Sequence, residues 1–309
     1  MARFIEFLVK QHKAFLLSLV CFVLSSCTAT SLFLVNTLAR FDDYSVYQNI
    51  PYADHTLNKL DIYIPQKQTD KHSTSPVVIF FYGGCWGGCE TRNKEDYTFV
   101  AQALTAQGYI VIIPDYRRYP EVTLAGIMQD ASHSVEWVKD NIGSYGGNSH
   151  KLFLMGHSAG AHIAAMLTLN EEYLQRDTYK SIKGFVGLAG PYDFLPFTKP
   201  YQYIVFGPEQ KFSESQPVNF VDGTEPPLLL LYGAEDTTVF PRNIKSLAAK
   251  VNQKRGAVEV HIYKDIDHYS LLSALSIPYQ ENQAVLGDII QFLDNKSVIQ
   301  QVHAERGHK

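Results

Sequence analysis

A short segment near the middle of the 309-residue chain combines the residue types that nucleophilic catalysis needs. An apolar stretch at 151–155 runs into Gly156-His157-Ser158-Ala159-Gly160, and a helix of small residues is predicted to follow. A serine hydroxyl is a weak nucleophile, so a fold must present it on a tight strand-to-helix turn, where glycines avoid the collisions that side chains would make. The pattern therefore predicts that Ser158 is a nucleophile; the alternative is an ordinary turn with a solvent-exposed serine.

A nucleophilic serine needs a general base and a carboxylate that orients the base. Asp236 lies in the loop directly after the apolar strand predicted at 228–232, and His268 lies just after the next predicted strand, 258–263. Because the carboxyl ends of neighbouring parallel strands meet at one edge of a sheet, we expect both side chains to lie near Ser158. The sequence thus predicts a triad of Ser158, Asp236 and His268.

Both partners of the serine have rivals in the sequence. Glu235 and Asp267 are alternative carboxylates, each one position away from a predicted triad residue. His157 and His162 flank the nucleophile, but they share its turn or its helix and are interpreted as residues that pack around it. Asp236 and His268 are the favoured assignments.

Acyl transfer also needs hydrogen-bond donors for the negative oxygen that forms on the attacked carbonyl, and backbone N–H groups serve because they are fixed before the reaction begins. A glycine-rich stretch, Gly83-Gly84-Cys85-Trp86-Gly87-Gly88-Cys89, follows the strand predicted at 77–82. A turn at this place can direct its amides toward the nucleophile. The alternative is a glycine-rich turn without a catalytic role.

The segments that carry these residues belong to a regular alternation of short apolar runs and amphipathic stretches, which is typical of an α/β fold with a mostly parallel central sheet flanked by helices. The predicted strands are 60–64, 77–82, 109–114, 151–155, 182–188, 228–232 and 258–263, and the predicted helices are 94–106, 124–141, 161–174, 241–252 and 284–293. Residues 197–227 form a long aromatic and proline-rich insertion of the kind that acts as a lid or binding wall. We expect one catalytic domain at 44–296, with a linker at 28–43 and a polar tail at 297–309.

Five short motifs relate this chain to a known group of enzymes. They are Leu60–Pro65 for LDIYxP, Tyr82–Trp86 for HGG(G)xW, Asp115–Pro120 for DYRxxP, Tyr145–His162 for YGGDxxxIxLMGxSAGAH and Pro191-Tyr192-Asp193 for PYD. With these motifs the chain resembles α/β-hydrolases of the carboxylesterase group, among them feruloyl-esterase-like domains, relatives of hormone-sensitive lipase, kynurenine formamidases and prenylcysteine methylesterases. The resemblance covers residues 44–293 and implies the α/β-hydrolase fold.

The resemblance also implies roles for individual residues. The N–H groups of Gly84, Cys85 and Ala159 are expected to donate hydrogen bonds to the oxyanion. The chain departs from the family at Tyr82, where histidine is usual, and this leaves the hydrogen bonding of the loop open. Asp115-Tyr116-Arg117 is expected to brace the core beside the loop and to take no part in catalysis.

Together these residues predict a serine hydrolase that cleaves a small-molecule carboxylic ester. His268 would take the proton from Ser158, an acyl-enzyme would form, and Asp236 would hold the histidine tautomer. The same triad serves an amidase or formamidase equally well. Two interpretations without catalysis are a binding protein on a hydrolase fold and a lipid-anchored structural or adhesion protein, both disfavoured because the triad is complete.

The substrate pocket is predicted to involve Trp86, Tyr192 and Phe194 together with the insertion. The mechanism requires no cofactor, and no metal site is predicted, because Cys85 and Cys89 have no second pair of ligands at a suitable spacing. The formal net charge is -4 and no block of Lys or Arg occurs. The sequence therefore gives no reason to expect nucleic-acid binding, which needs clustered cations.

The first 27 residues resemble a secretory signal of the bacterial lipoprotein type. Lys10 and Lys13 precede an apolar run at 14–24, which is too short to span a bilayer of about 30 Å as a helix. Leu24-Ser25-Ser26-Cys27 resembles a lipobox, whose cysteine becomes the lipid-modified first residue. We therefore expect Cys27 to anchor the protein to a membrane of the cell envelope, in the periplasm or at the outer membrane. The alternatives are a secreted protein and an uncleaved signal anchor.

The cysteines predict a disulfide bond in the glycine-rich stretch. If Cys21 leaves with the signal and Cys27 carries lipid, Cys85 and Cys89 are the remaining thiols, and they lie in an oxidising compartment. Gly87-Gly88 between them permits the turn that brings two cysteines four positions apart within bonding distance. The alternative is a pair of buried thiols beside Trp86.

Overall fold

The computed structural model describes residues 27–66, 74–89, 91–280 and 284–306. Most of the predicted signal, residues 1–26, therefore lies outside the described residues, as do residues 307–309 of the predicted polar tail.

Within the described residues, eight strands form one sheet in the order β1-β2-β4-β3-β5-β6-β7-β8. Strand β2 is antiparallel to β1 and β4, and the other neighbouring pairs are parallel. The strands are β1 Tyr44–Pro51, β2 Lys59–Pro65, β3 Ser75–Phe81, β4 Ile110–Pro114, β5 Gly147–His157, β6 Ile182–Leu188, β7 Leu228–Gly233 and β8 Val258–Tyr263. The predicted α/β class with a mostly parallel sheet is confirmed, and β1 is an addition to the predicted strands.

Helices connect most of the strands. They are α1 Cys27–Ala39, α2 Thr98–Thr105, α3 Leu124–Asn141, α4 Ala159–Leu169, α5 Arg176–Ser181, α6 Pro200–Val205, α7 Arg242–Gln253, α8 His268–Ser273 and α9 Ala284–Arg306. Short 3-10 turns cover Cys85–Gly87, Lys94–Tyr97, Ile142–Tyr145, Glu171–Tyr173, Glu209–Ser215 and Pro217–Phe220. The helix predicted at 94–106 is divided into a 3-10 turn and α2, and the insertion contains α6 and two of the short turns.

The middle of the sheet supplies the rigid part of the fold. All six residues of β7 are buried, as expected for a parallel strand covered on both faces, and this explains its uninterrupted apolar sequence. Helix α4, which follows β5, is buried along all of its 11 residues. The ends of β5 and β7 are therefore held by packing on every side.

The segment predicted as a linker, residues 28–43, differs from that expectation because it contains most of α1. The side chain of Asn36 donates a hydrogen bond to Asp96 O at 2.8 Å and accepts one from Phe99 N at 3.1 Å. Ala39 is fully buried against the domain. Helix α1 is thus packed against α2 and the turn before it. At the other end, α9 continues to Arg306, well into the predicted tail.

No helix in the described ranges combines the length and the apolar character required to cross a membrane.

We predict that Asn36→Ala lowers the free energy of unfolding by about 1–3 kcal/mol, because Phe99 N–H and Asp96 C=O lose their partner at a buried site. Urea unfolding followed by circular dichroism measures the change. Thr37→Ala is the matched control, since its hydroxyl bonds only to Phe33 O of the same helix in an exposed position, and it should change stability by no more than about 0.5 kcal/mol. Equal effects of the two variants would contradict the docking role of Asn36.

Candidate active site

Ser158 lies on the turn between β5 and α4 and has a strained backbone. Its φ of 55° and ψ of -124° are unusual for a residue with a side chain, and such values persist only where the surroundings impose them. Ser158 N donates to Leu188 O at the end of β6 at 2.9 Å. The turn is thereby tied to the sheet, and the serine is presented at the carboxyl end of β5.

The two glycines of the motif allow chain segments to approach closely at this turn. A Cβ atom on Gly156 would lie 2.4 Å from the backbone of Gly160, and a Cβ atom on Gly160 would lie 2.0 Å from Phe81 O. Neither distance is possible between real atoms. The two glycines are therefore required by the close contact between the start of α4 and the ends of β3 and β5. The predicted strand-to-helix turn is present.

Asp236 and His268 meet at the ends of two adjacent parallel strands. Asp236 lies in the loop after β7 and His268 begins α8 after β8, and His268 Nδ1 lies 2.8 Å from Asp236 Oδ2. Both side chains are buried, with 5% of the histidine and none of the aspartate exposed. The second oxygen, Oδ1, accepts from Thr238 N at 2.7 Å and Val239 N at 2.9 Å. The carboxylate thus holds the proton on Nδ1 and leaves Nε2 as the basic nitrogen.

The rival carboxylates have other positions. Glu235 is exposed on the loop. Asp267 caps the first turn of α8, where Oδ1 accepts hydrogen bonds from Tyr269 N and Ser270 N. A hydrogen bond from the Ser270 side chain lowers the pKa of Asp267. Only Asp236 among the three is hydrogen-bonded to the ring of His268.

The two histidines beside the nucleophile are buried, and each makes specific hydrogen bonds. His157 Nε2 donates to His268 O at 2.9 Å, and the two rings lie 4.7 Å apart. His162 bonds to Trp86 and to Ser215 through its two ring nitrogens. Burial lowers the pKa of His157 to about 3 and that of His162 to about 4, so both are neutral at pH 7. The sequence places them near the turn but gives no signal of these partners.

The glycine-rich loop lies directly against Ser158. A Cβ atom on Gly83 would lie 3.1 Å from Ser158 Cβ. The three following residues, Gly84, Cys85 and Trp86, have φ values of 121°, 53° and 56°, so the chain curls in the left-handed region. Ala159, the residue after Ser158, begins α4. The structure thus brings the three residues proposed as oxyanion donors to the same place.

The structure joins Cys85 and Cys89 by a disulfide bond, with their Cα atoms 5.4 Å apart. The loop that it closes is docked on the insertion. A Cβ atom on Gly88 would lie 2.4 Å from the ring of Tyr201 on α6, so glycine is required for this contact. The disulfide loop is therefore fixed between the nucleophile turn and the insertion.

Tyr82, the departure from the family motif, is held by hydrogen bonds and stacking. Its hydroxyl donates to Asp115 Oδ1 at 2.7 Å, and its carbonyl accepts from the hydroxyl of Tyr116 at 2.7 Å. The ring stacks on Tyr97 and Tyr116 at 5.2 Å and 4.9 Å. Burial raises the pKa of Tyr82. The residue before the loop is thus supported from both sides, and Asp115 and Tyr116 take the bracing role expected from the resemblance.

Two of the three predicted pocket residues, Trp86 and Phe194, belong to an aromatic cluster that includes Phe206 of the insertion. Trp86 stacks on Phe194 at 5.7 Å and meets the edge of Phe206 at 4.8 Å. Tyr192 differs from the prediction: it is 1% exposed, and its hydroxyl occupies the space that a side chain on Gly187 would fill. Tyr192 is therefore a core residue, because the missing side chain in β6 leaves a place for its ring.

A serine on a strained turn after β5, with an aspartate after β7 and a histidine after β8, defines the α/β-hydrolase fold. The chain belongs to the BD-FAE family, whose model matches residues 60–251.

Individual relatives agree with this assignment. The isoprenylcysteine alpha-carbonyl methylesterase ICME of Arabidopsis thaliana is 26% identical over 83% of this chain and 63% of its own length. The kynurenine formamidase of Salmo salar is 33% identical over 50% of this chain and 48% of its own. The chain thus spans less than two thirds of either relative. The crystal structure of esterase B from Lactobacillus Rhamnosis superposes with a TM-score of 0.74 at 19% identity, covering 93% of this chain and 97% of that protein.

We predict that His157 makes stability depend on pH. The pKa of His157 falls from 6.5 to about 3 on folding, so below pH 6.5 the unfolded chain binds this proton first and the folded state loses stability. His157→Gln should reduce the stability difference between pH 7 and pH 5 by about 2 kcal/mol, measured by urea unfolding. Thr168→Val, a buried change without an ionisable group, should shift stability equally at both pH values. An unchanged pH dependence in His157→Gln would contradict the prediction.

Proposed function

We propose that the protein hydrolyses a small-molecule carboxylic ester through an acyl-enzyme on Ser158. The observation that carries the proposal is the buried 2.8 Å contact between His268 and Asp236 at the sheet edge where the strained turn presents Ser158. Relatives named as esterases support the same activity. A binding protein on this fold would have no need of an oriented, buried histidine.

The reaction follows from the chemistry of the three side chains. His268 Nε2 accepts the hydroxyl proton of Ser158 as the oxygen attacks the ester carbonyl, and the imidazolium is stabilised by Asp236. The proton then passes to the leaving alcohol, and an acyl-serine remains. Water attacks this intermediate with His268 again as base, which releases the acid and restores the hydroxyl.

The negative oxygen of each tetrahedral intermediate needs donors that are already in place. The amides of Gly84, Cys85 and Ala159 are the proposed donors, because the loop lies against Ser158 and Ala159 begins the helix after it. The start of α4 also contributes the positive end of a helix dipole, which favours an anion at this point. The curled backbone of the loop is consistent with amides that point inward.

A formamidase on the same triad is the second candidate. The relative from Salmo salar, 33% identical over half of this chain, is named for that activity. Both reactions pass through the same intermediate, so the triad does not distinguish them. Turnover of a panel of short and long acyl esters, with an N-formyl amide of an arylamine included, separates the two candidates.

We predict that Ser158→Ala and His268→Ala each lower kcat by about 10⁵ to 10⁶, and that the double variant is scarcely worse, because triad residues act as a unit. Asp236→Asn should cost about 10⁴, because the histidine would adopt the wrong tautomer. Initial rates on a chromogenic ester measure these values, and labelling of Ser158 by a fluorophosphonate checks the nucleophile.

Two matched controls accompany these variants. Ser213→Ala changes an exposed serine of the insertion, and Glu235→Gln changes the exposed carboxylate beside Asp236. Both should keep wild-type rates. Activity that survives in Ser158→Ala would overturn the nucleophile assignment, and loss of activity in Glu235→Gln with retention in Asp236→Asn would move the acid by one position.

The second part of the proposal concerns location: we propose that Cys27 carries a lipid anchor in the cell envelope. The apolar run at 14–24 and the Leu24-Ser25-Ser26-Cys27 motif support this. Helix α1 begins at Cys27, and three large apolar side chains in it or just after it are exposed: Phe33 72%, Leu34 57% and Phe41 84%. Exposed apolar side chains close to a lipid-modified cysteine are suited to contact with a bilayer surface.

We predict that mature protein from a bacterial host with lipoprotein processing begins at Cys27, carries acyl mass and partitions into the detergent phase. Cys27→Ala should abolish the acyl mass and shift the protein to the aqueous phase, because the protein then lacks the acyl chains that give stable membrane binding. Intact mass spectrometry and Triton X-114 partitioning measure both results. An unmodified wild-type chain that begins at another residue would refute the lipoprotein proposal and leave the enzymatic one untouched.

A further inference from the structure

His162 lies where three functional segments meet. Its backbone N–H donates to Ser158 O at 3.1 Å, which links it to the nucleophile turn. Its Nδ1 accepts from Trp86 Nε1 at 3.1 Å, which links it to the disulfide loop. Its Nε2 lies 2.8 Å from Ser215 O in the insertion. The side chain is fully buried, so water does not compete for these hydrogen bonds.

The partners of His162 determine its tautomer and charge. An indole N–H can only donate, so Nδ1 must present a lone pair to Trp86; a carbonyl can only accept, so Nε2 must carry the proton. A protonated His162 would place its Nδ1–H opposite the indole N–H of Trp86. Burial lowers the pKa of His162 to about 4, in agreement with the neutral form.

The bond from Trp86 matters because of the backbone that it holds. Cys85 and Trp86 both have left-handed φ values, a conformation that costs free energy for residues with side chains and persists only under external constraint. Trp86 O accepts from Tyr119 N at 2.9 Å, and the ring is enclosed by Phe194 and Phe206. The indole N–H is the polar atom of this side chain, and His162 is its partner.

We propose that His162 is a positioning residue for acyl transfer: acting through Trp86, it holds the disulfide loop so that the amide of Cys85 points at the oxyanion. The inference rests on the proposed function. The side-chain hydrogen bonds of His162 go to Trp86 and Ser215. His162 determines the position of the disulfide loop relative to Ser158, because it is hydrogen-bonded both to Trp86 in the loop and to the backbone of Ser158.

The test is a double-mutant cycle with His162→Phe and Trp86→Phe. Loss of a complete oxyanion donor lowers kcat by about 10² to 10³, and a displaced donor should cost less, about 10- to 100-fold in each single variant. In His162→Phe, KM should change by no more than about threefold, because the donor acts on the transition state. The double variant should be no slower than Trp86→Phe alone, since His162 acts only through the indole.

Two further variants separate positioning from packing. His162→Gln keeps an acceptor and a donor on one side chain and should recover most of the kcat that His162→Phe loses. Thr168→Val removes a buried hydroxyl that bonds to Ala164 O on the same helix, and it should keep the wild-type kcat. In a ¹H–¹⁵N spectrum, the indole N–H signal of Trp86, assigned against Trp137 by its absence in Trp86→Phe, should move upfield in His162→Phe.

The outcomes are distinct. A wild-type protein without turnover refutes the proposed function itself. An active wild type in which the two single losses multiply in the double variant, or in which His162→Phe keeps its kcat, overturns the positioning role. Thermal unfolding identifies a variant that fails to fold. If His162→Phe fails to fold, His162→Gln replaces it in the cycle. A further loss of kcat when His162→Gln is added to Trp86→Phe then overturns the proposal.

Discussion

The close approach of α4 to the end of β3 is the constraint on which the site depends. Gly160 lies so near to Phe81 O that no side chain fits between them. This contact forces Ser158 into its strained conformation and also brings the loop after β3 beside the nucleophile. One steric condition thus places both the proposed nucleophile and the loop that contains two of the proposed oxyanion donors.

The proposed general base and the carboxylate that orients it depend on a second, topological condition. Strands β5, β6, β7 and β8 are consecutive and parallel in the sheet, so the segments after them emerge on one edge. Asp236 and His268 need only short loops to meet there, and Gly233 pairs with Tyr263 where the two strands end. Burial then removes water from the carboxylate, and hydrogen bonds from Thr238 and Val239 replace it. The sheet sets the distance between the groups, and the loop amides hold the carboxylate in place.

The sequence alone predicts those parts of the fold and site that local periodicity and short motifs mark. The parallel strands, Ser158 with its glycines and the loops of Asp236 and His268 all follow from local pattern. Strand β1 was missed because most of its side chains are exposed and no apolar alternation marks it. The sequence predicts Tyr192 in the pocket, because nothing in its own segment shows that Gly187 leaves room for its hydroxyl in the core. The bonds of His162 join residues 76 and 53 positions away, and no local pattern contains them.

Helix α4 has no face in contact with water, and this has a consequence for how the protein can diversify. Each of its residues is enclosed by neighbours, so a larger side chain must displace another element. The insertion at 197–227, by contrast, meets solvent along much of its length, and Tyr203 and Ile204 stand half exposed. We expect changes in the preference of the proposed hydrolase for its substrate to arise in the insertion, with α4 unchanged. The structure thus separates a part that can accept larger side chains from a part that cannot.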